Sequence, residues 1–98
     1  MTDPVLRWGV RDAEPEDLPY LLQTWWGVRR RKPGWQEFQQ LALPVLEACP
    51  VRVAHDAGDP TAIWGFHVPG HVTYVRRFVR GTAIKADLLR PQPSGDKT

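Results

Sequence analysis

Residues 74–89 read Tyr-Val-Arg-Arg-Phe-Val-Arg-Gly-Thr-Ala-Ile-Lys-Ala-Asp-Leu-Leu. This pattern predicts a strand, a tight basic turn and the first turns of a helix. The first backbone N–H groups of a helix have no partner inside it, and the helix dipole makes their position favourable for anions. The stretch therefore predicts a junction of the kind from which phosphate-binding sites are often built.

Upstream of this stretch, the sequence predicts one strand followed by two helices. Residues 5–11 alternate between apolar and polar side chains, which is the period of a half-buried strand. Pro15 suits the first position of a helix that runs to about residue 28, because its missing N–H would be unpaired there. A second helix is expected to begin near residue 35 and to end by residue 50. Pro44 lies inside it, so we expect a kink or a break there.

After residue 50 the apolar period changes from helical to extended. Short strands are predicted over residues 51–55, 61–68 and 71–77. Pro69-Gly70 predicts the turn of a hairpin, and a helix over residues 80–89 follows the last strand. The resulting order, β-α-α-β-β-β-α, predicts an α+β fold in which a mainly antiparallel sheet packs against helices.

The chain has 98 residues, a formal net charge of +2 and a single cysteine, Cys49. We expect one domain over residues 1–90 and a disordered tail over residues 91–98, which carry no apolar side chain. One cysteine excludes an intramolecular disulfide and a zinc site with paired cysteines, and the three histidines are too scattered to predict a metal site. With no pattern of a signal peptide or a membrane span, a soluble, cytoplasmic protein is expected.

Basic residues concentrate in two clusters, at residues 29–32 and at residues 76–85. Such clusters attract nucleic acid, phosphorylated ligands or acidic protein surfaces, but more often they are solvated faces. No recognition motif for nucleic acid accompanies them. Nucleic-acid binding is therefore the weakest of three functional hypotheses.

The chain resembles the GNAT acetyltransferase superfamily over about residues 5–90, and it looks most like the small phage-type and bacterial members. Residues 6–22 are similar to the opening strand of the family and to its Pro-Glu-Asp helix start. Residues 74–89 are similar to the segment that binds coenzyme A. The second and third strands of the family are matched by the phrases Val53-Ala54-His55-Asp56, Asp59-Pro60 and Ile63-Trp64-Gly65.

In this family the helix after the fourth strand begins with Arg/Gln-x-x-Gly-x-Gly/Ala, whose glycines let backbone amides approach the pyrophosphate of the cofactor. Arg80 matches the first position, and Gly81 and Thr82 occupy the free positions. Ala83 stands where glycine is expected, and Lys85 stands at a close-packed position where glycine or alanine is expected. The resemblance implies a degraded cofactor loop built from these five residues, with acetyl-CoA as the cofactor that it would hold.

The family fold continues with a fifth strand, a fourth helix and usually two more strands. Its general acid, often a tyrosine, usually comes from the region after the fifth strand. The resemblance therefore implies a member truncated after the cofactor-binding helix, and we assign no catalytic residue. General acid–base catalysis contributes roughly 100- to 10,000-fold to a rate, so this truncation implies that catalysis is lost.

Two further hypotheses follow from the resemblance. The first is a catalytically incompetent GNAT-like protein that serves as a binding or regulatory module for a protein partner, by analogy with small phage proteins that act on host proteins. The edge of the last predicted strand would lie open to pairing with another chain, which favours a protein partner or a homodimer. The alternative is a minimal acetyl-CoA-dependent N-acetyltransferase that dimerisation completes.

Overall fold

The computed structural model describes residues 7–29, 31, 33–76 and 80–90. A four-stranded antiparallel sheet and three α-helices confirm the α+β class. A 3-10 turn over Pro15–Asp17 precedes the first helix. The elements are β1 (Trp8–Asp12), α1 (Leu18–Val28), α2 (Trp35–Ala48), β2 (Arg52–Asp56), β3 (Asp59–Val68), β4 (Val72–Val75) and α3 (Gly81–Leu89).

The sheet has the strand order β1-β2-β3-β4, with every neighbouring pair antiparallel. The predicted turn at Pro69-Gly70 joins β3 to β4, and the N–H of His71 donates to the carbonyl of Val68. Gly70 has a φ of +78°, which position i+2 of a type II turn requires and which glycine adopts without steric cost. A simple meander therefore places β1 and β4 at the two edges of the described sheet.

Helices cover both faces of this sheet. α1 and α2 pack on one face, where Leu21, Phe38 and Phe66 lie in the larger apolar cluster. α3 packs on the other face, where Ile84 and Leu88 contact a smaller cluster. Consecutive residues of β2 divide between the two clusters, because side chains alternate along a strand. The fold is thus a three-layer sandwich with the sheet in the middle.

A β-bulge interrupts the pairing of β2 with β3. Ala54 pairs with Gly65 and His55 pairs with Ile63, so Trp64 is an extra residue on β3. Because of this extra residue, Ile63 and Phe66 both reach the cluster beneath α1 and α2, whereas Trp64 packs on the side of α3. The bulge therefore gives both layers of helices a large buried side chain from the same strand.

A kink or a break was predicted at Pro44, and the break does not occur, because α2 is one continuous helix through this residue. Proline removes the N–H that would bond to the carbonyl of Gln40, four residues earlier. Both residues are exposed, so water can satisfy that carbonyl. The predicted strands are present, and most of their described ends are shifted by one or two residues. Residues 5, 6 and 77, which were also predicted as strand, lie outside the described residues. The predicted tail, residues 91–98, lies outside the described residues.

Candidate functional site

The edge of β4 is the most distinctive feature of the described sheet. Within residues 7–76 and 80–90, apart from the gaps at 30 and 32, β4 pairs with β3 and with no other strand. The N–H of Arg76 donates to the carbonyl of Trp64 at 2.7 Å. Hydrogen-bonded pairs alternate along an antiparallel ladder, so Tyr74 also bonds towards β3. The N–H and C=O groups of Thr73 and Val75 consequently point away from β3.

The side chains of β4 pack against the core, and this packing fixes the orientation of the backbone at the edge of the sheet. Tyr74 packs in the cluster beneath α1, with its ring centroid 5.6 Å from that of Phe66. Val75 packs on the opposite face with the cluster of α3. Thr73 Oγ1 lies 2.7 Å from Nδ1 of His67 across the strand pair. β4 is therefore positioned by its side chains, while two of its residues direct backbone groups outward.

His67 has a structural position on β3. It is half-buried, and burial together with the neighbouring Arg52 cation lowers the pKa of its imidazole. Its hydrogen bond to Thr73 joins the two strands of the hairpin. We therefore interpret His67 as a residue that strengthens the hairpin.

Positive charge surrounds the end of β4. Residues 61–86 contain Arg76, Arg77, Arg80 and Lys85 but no aspartate or glutamate. Arg77 lies outside the described residues, and the other three side chains are exposed. Among the described residues, none of these three cations forms a salt bridge, whereas Asp87 at the far end of α3 is paired with Arg90 at 3.1 Å.

The five residues assigned to a cofactor loop lie together at the start of α3. Arg80 is the N-cap, and its carbonyl accepts the first helical hydrogen bond, from Ile84 at 3.0 Å. The N–H groups of the next three residues therefore have no acceptor within the helix. Arg80, Thr82, Ala83 and Lys85 are exposed, and Gly81 is half-buried.

The start of α3 leaves room around Gly81 and Lys85. A Cβ built on Gly81 would meet only Val75 Cγ1, at 3.7 Å, which is ordinary contact. Lys85 extends from an exposed position, so its long side chain needs no space in the core. Residues 77–79, which connect β4 to this helix, lie outside the described residues.

A cleft of about 500 Å³ lies beside the same end of the sheet, and it was not predicted from the sequence. Its lining includes both carboxylates and cations, among them Glu14 and Glu16. Arg11 crosses it and donates to both carboxylate oxygens of Asp17, at 2.8 and 3.0 Å. Arg11 also donates to the carbonyl of Pro60 at 3.0 Å. Arg76 and Tyr20 line the cleft as well, so it adjoins the open edge of β4. In the sequence, the alternation of Arg11 with apolar residues indicated only that Arg11 lies on the polar side of the first strand, and it did not indicate the cleft.

A second, apolar groove of about 680 Å³ runs between α1 and α2. Trp26 and Trp35 line it, with their ring centroids 5.5 Å apart. The indole N–H of Trp26 donates to the carbonyl of Pro33, so this polar group is already satisfied within the chain. The lining is uncharged and gives no indication of a ligand class.

The described residues contain no cluster of three or more histidine, cysteine, aspartate or glutamate side chains suited to a metal ion. Nor does the described part of the chain include a helix with the length and apolar character to cross a bilayer. Comparison with protein-family models, with curated proteins and with solved structures returns no match.

Proposed function

We propose that this protein is a non-enzymatic binding module that accepts an extended segment of a protein partner at the open edge of β4. The observation that carries the proposal is the orientation of Thr73 and Val75, whose backbone groups point away from β3. An added strand would satisfy these groups in the manner of β-augmentation. The GNAT resemblance supplies the scaffold in this proposal and no catalytic step.

The energetics favour a short but specific contact. Two outward residues supply two N–H donors and two C=O acceptors to an incoming strand. Each bond contributes on the order of 1 kcal/mol after exchange with water. Because Tyr74 and Val75 are fixed by the clusters on either face, the edge is preorganised, and little ordering entropy is lost on its side.

A proline substitution tests this proposal. Thr73→Pro removes an outward N–H, and Thr73→Val serves as the matched control because it removes the same hydroxyl bond to His67 while keeping the backbone donor. Peptides are selected from a displayed random library on the unmodified protein and then measured against both variants. We expect binding to survive in Thr73→Val and to be lost in Thr73→Pro.

Hydrogen exchange of the complex with the selected peptides gives an independent readout. The amides of Thr73 and Val75 should slow on binding, because they acquire acceptors in the added strand. The proposal is contradicted if the selected peptides bind Thr73→Pro as tightly as they bind the unmodified protein. It is also contradicted if they protect other amides instead.

The start of α3 supports a second candidate, a minimal acetyl-CoA-dependent N-acetyltransferase completed by dimerisation. Three N–H groups without helical acceptors lie beside the exposed cations Arg80 and Lys85, which is a favourable arrangement for a phosphate group. In this candidate Gly81, Thr82 and Ala83 contribute the backbone donors. The distinguishing requirement is saturable binding of the cofactor.

Calorimetry and thermal unfolding with acetyl-CoA test this second candidate. A ligand at a hundred times its Kd stabilises the folded state by about 2.7 kcal/mol. The candidate predicts a rise in Tm that Arg80→Ala reduces and that the exposed loop variant Arg31→Ala leaves unchanged. No shift at millimolar acetyl-CoA removes the candidate.

A further inference from the structure

We infer that the segment accepted by β4 is acidic: a strand of another protein that places carboxylates beside Arg76 and Arg80. This inference rests on the proposed function, because it names the chemistry of the partner that the open edge accepts. The backbone of the edge provides pairing without sequence preference, whereas the charged residues around it provide selectivity.

Positive charge predominates in the stretch between Asp59, at the start of β3, and Asp87, in the last turns of α3. Residues 61–86 carry four cationic side chains and no carboxylate. Arg76, Arg80 and Lys85 are exposed and form no salt bridge among the described residues. Glu14 and Glu16 line the same cleft as Arg76, but no carboxylate of the described residues lies within salt-bridge distance of the three cations. Arg76, Arg80 and Lys85 therefore remain available to the carboxylates of a strand that approaches the edge.

The cations lie on both sides of the strand that would be added. Arg76 follows β4 directly and lines the cleft beside α1, on the face occupied by Tyr74. Arg80 begins α3, on the opposite face. Side chains of an added strand alternate between these two faces. A carboxylate on either face, at the register of the end of β4, would therefore meet a cation at cross-strand distance.

A second copy of this chain is a poorer occupant of the edge. Antiparallel pairing of β4 with its own copy would bring together two stretches of residues 61–86, each with four cations and no carboxylate. Like charges across an interface oppose association. A nucleic acid would meet the cations through its phosphates, but it would leave the backbone groups of Thr73 and Val75 without a strand to pair with.

Three synthetic peptides test the inference with the full chain. They share an alternating valine framework and carry glutamate, glutamine or lysine at every second position. Binding is measured by fluorescence anisotropy, and amide protection of Thr73 and Val75 is measured in each complex. We expect the glutamate peptide to bind roughly two- to fivefold more tightly than the glutamine peptide, because its carboxylates share one face of the added strand and meet a single cation, Arg76 or Arg80.

One substitution and its control test whether Arg76 causes the preference for glutamate. Arg76→Gln should reduce the advantage of glutamate over glutamine, while the exposed loop variant Arg31→Gln should retain it. The advantage should also shrink as the ionic strength rises from 0.01 to 1 M, because exposed charges are screened. An advantage unchanged by salt and by Arg76→Gln overturns the inference.

The remaining outcomes are distinguishable from one another. Equal binding of all three peptides with protection of Thr73 and Val75 overturns the acidic preference and leaves the strand-pairing function standing. Protection by none of them overturns the proposed function together with the inference. If a single-stranded oligonucleotide binds more tightly than the glutamate peptide, the occupant is nucleic acid and the inference is overturned. If dimers form with rising concentration and protect β4, the occupant is a second copy, and the inference is overturned as well.

Discussion

Asp17 links the first helix to the sheet through one carboxylate. Its side chain is buried, at 7% exposure, and it accepts two hydrogen bonds from Arg11 and one from the backbone N–H of Glu14 at 2.7 Å. Burial alone would raise the pKa of Asp17, but the Arg11 guanidinium and the Glu14 amide outweigh burial and hold that pKa below its ordinary value. The ionised form of Asp17 is therefore favoured by folding.

This lowered pKa predicts a specific dependence of stability on acid. The unfolded carboxyl has a pKa of about 3.9, and the folded value is lower, so its stabilising contribution is present above pH about 4 and is lost as the pH falls through the folded value. Asp17→Asn should lower the free energy of unfolding at pH 7 by about 2 kcal/mol, since Arg11 loses its partner. Urea denaturation across this pH range measures both effects.

The exposed helix variant Glu37→Gln is the control, and it should change the free energy of unfolding by less than about 0.5 kcal/mol. Equal stability of Asp17→Asn and the unmodified protein at pH 7 would show that the ion pair does not support the fold.

Gly65 is required by a close approach between β3 and β4. A Cβ at this residue would lie 2.5 Å from the carbonyl oxygen of Tyr74, which is backbone and cannot move aside as a flexible side chain would. Gly27, in α1, has no such neighbour within 4 Å. The two glycines therefore differ in the reason for their presence.

Alanine substitutions at these two glycines should have opposite signs. Gly65→Ala should lower the free energy of unfolding by about 1–3 kcal/mol, because the strands must separate to admit the methyl group. Gly27→Ala should raise it by roughly 0.5–1 kcal/mol, because alanine is the better helix former. Thermal unfolding of the two variants checks this, and a stable Gly65→Ala protein would contradict the observed strand spacing.

At the scale of elements, β4 has two chemically different sides. Its ladder with β3 uses Tyr74 and Arg76, and its outer edge presents Thr73 and Val75. This difference follows from the alternation of hydrogen-bonded and non-bonded pairs. The short contact between Thr73 and His67 agrees with it, because side chains approach most closely across a non-bonded pair.

Proline should therefore be tolerated at one position of β4 and not at the next. Tyr74→Pro removes a hydrogen bond of the ladder and leaves a carbonyl of β3 without its donor. Its free energy of unfolding should therefore be about 1–3 kcal/mol lower than that of the control Tyr74→Val. The free energy of unfolding of Thr73→Pro should be less than about 1 kcal/mol below that of Thr73→Val, because the proline removes only an outward N–H. Denaturant unfolding compares the pairs, and equal costs at the two positions would mean that the register is wrong.

Periodicity in the sequence predicted the helices and strands because each has a clear apolar face. Pro44 predicted a kink or a break because proline removes a hydrogen bond of the helix, but α2 continues through it, and water can satisfy the exposed carbonyl. The bulge at Trp64 could not be predicted, because an extra residue is defined only by the partner strand that lacks it. Local pattern therefore predicts elements better than it predicts their register.

At the scale of the whole molecule, two layers of helices cover the faces of the sheet, and no described strand pairs with the outer edge of β4. α1 and α2 cover one face and α3 covers the other. The sequence predicted both the open last strand and the basic cluster near it, but not which backbone groups point outward or that Arg76 lies beside the cleft of Arg11. Those features depend on contacts between residues distant in sequence.

The assignment of Arg80, Gly81, Thr82, Ala83 and Lys85 to a cofactor loop stays a prediction. The structure brings them together at the start of α3, and that much follows from their adjacency in the sequence. The assignment therefore needs a measurement of ligand binding, as set out for the second candidate.

Amide hydrogen exchange by NMR in the free protein tests the central claim most directly, because it measures whether the outer edge of β4 is open in solution. The account predicts rapid exchange at Thr73 and Val75 alongside slow exchange at Tyr74 and Arg76 in the same strand. Equally slow exchange at all four amides in a monomer would show that another part of the chain covers this edge, and it would contradict the account.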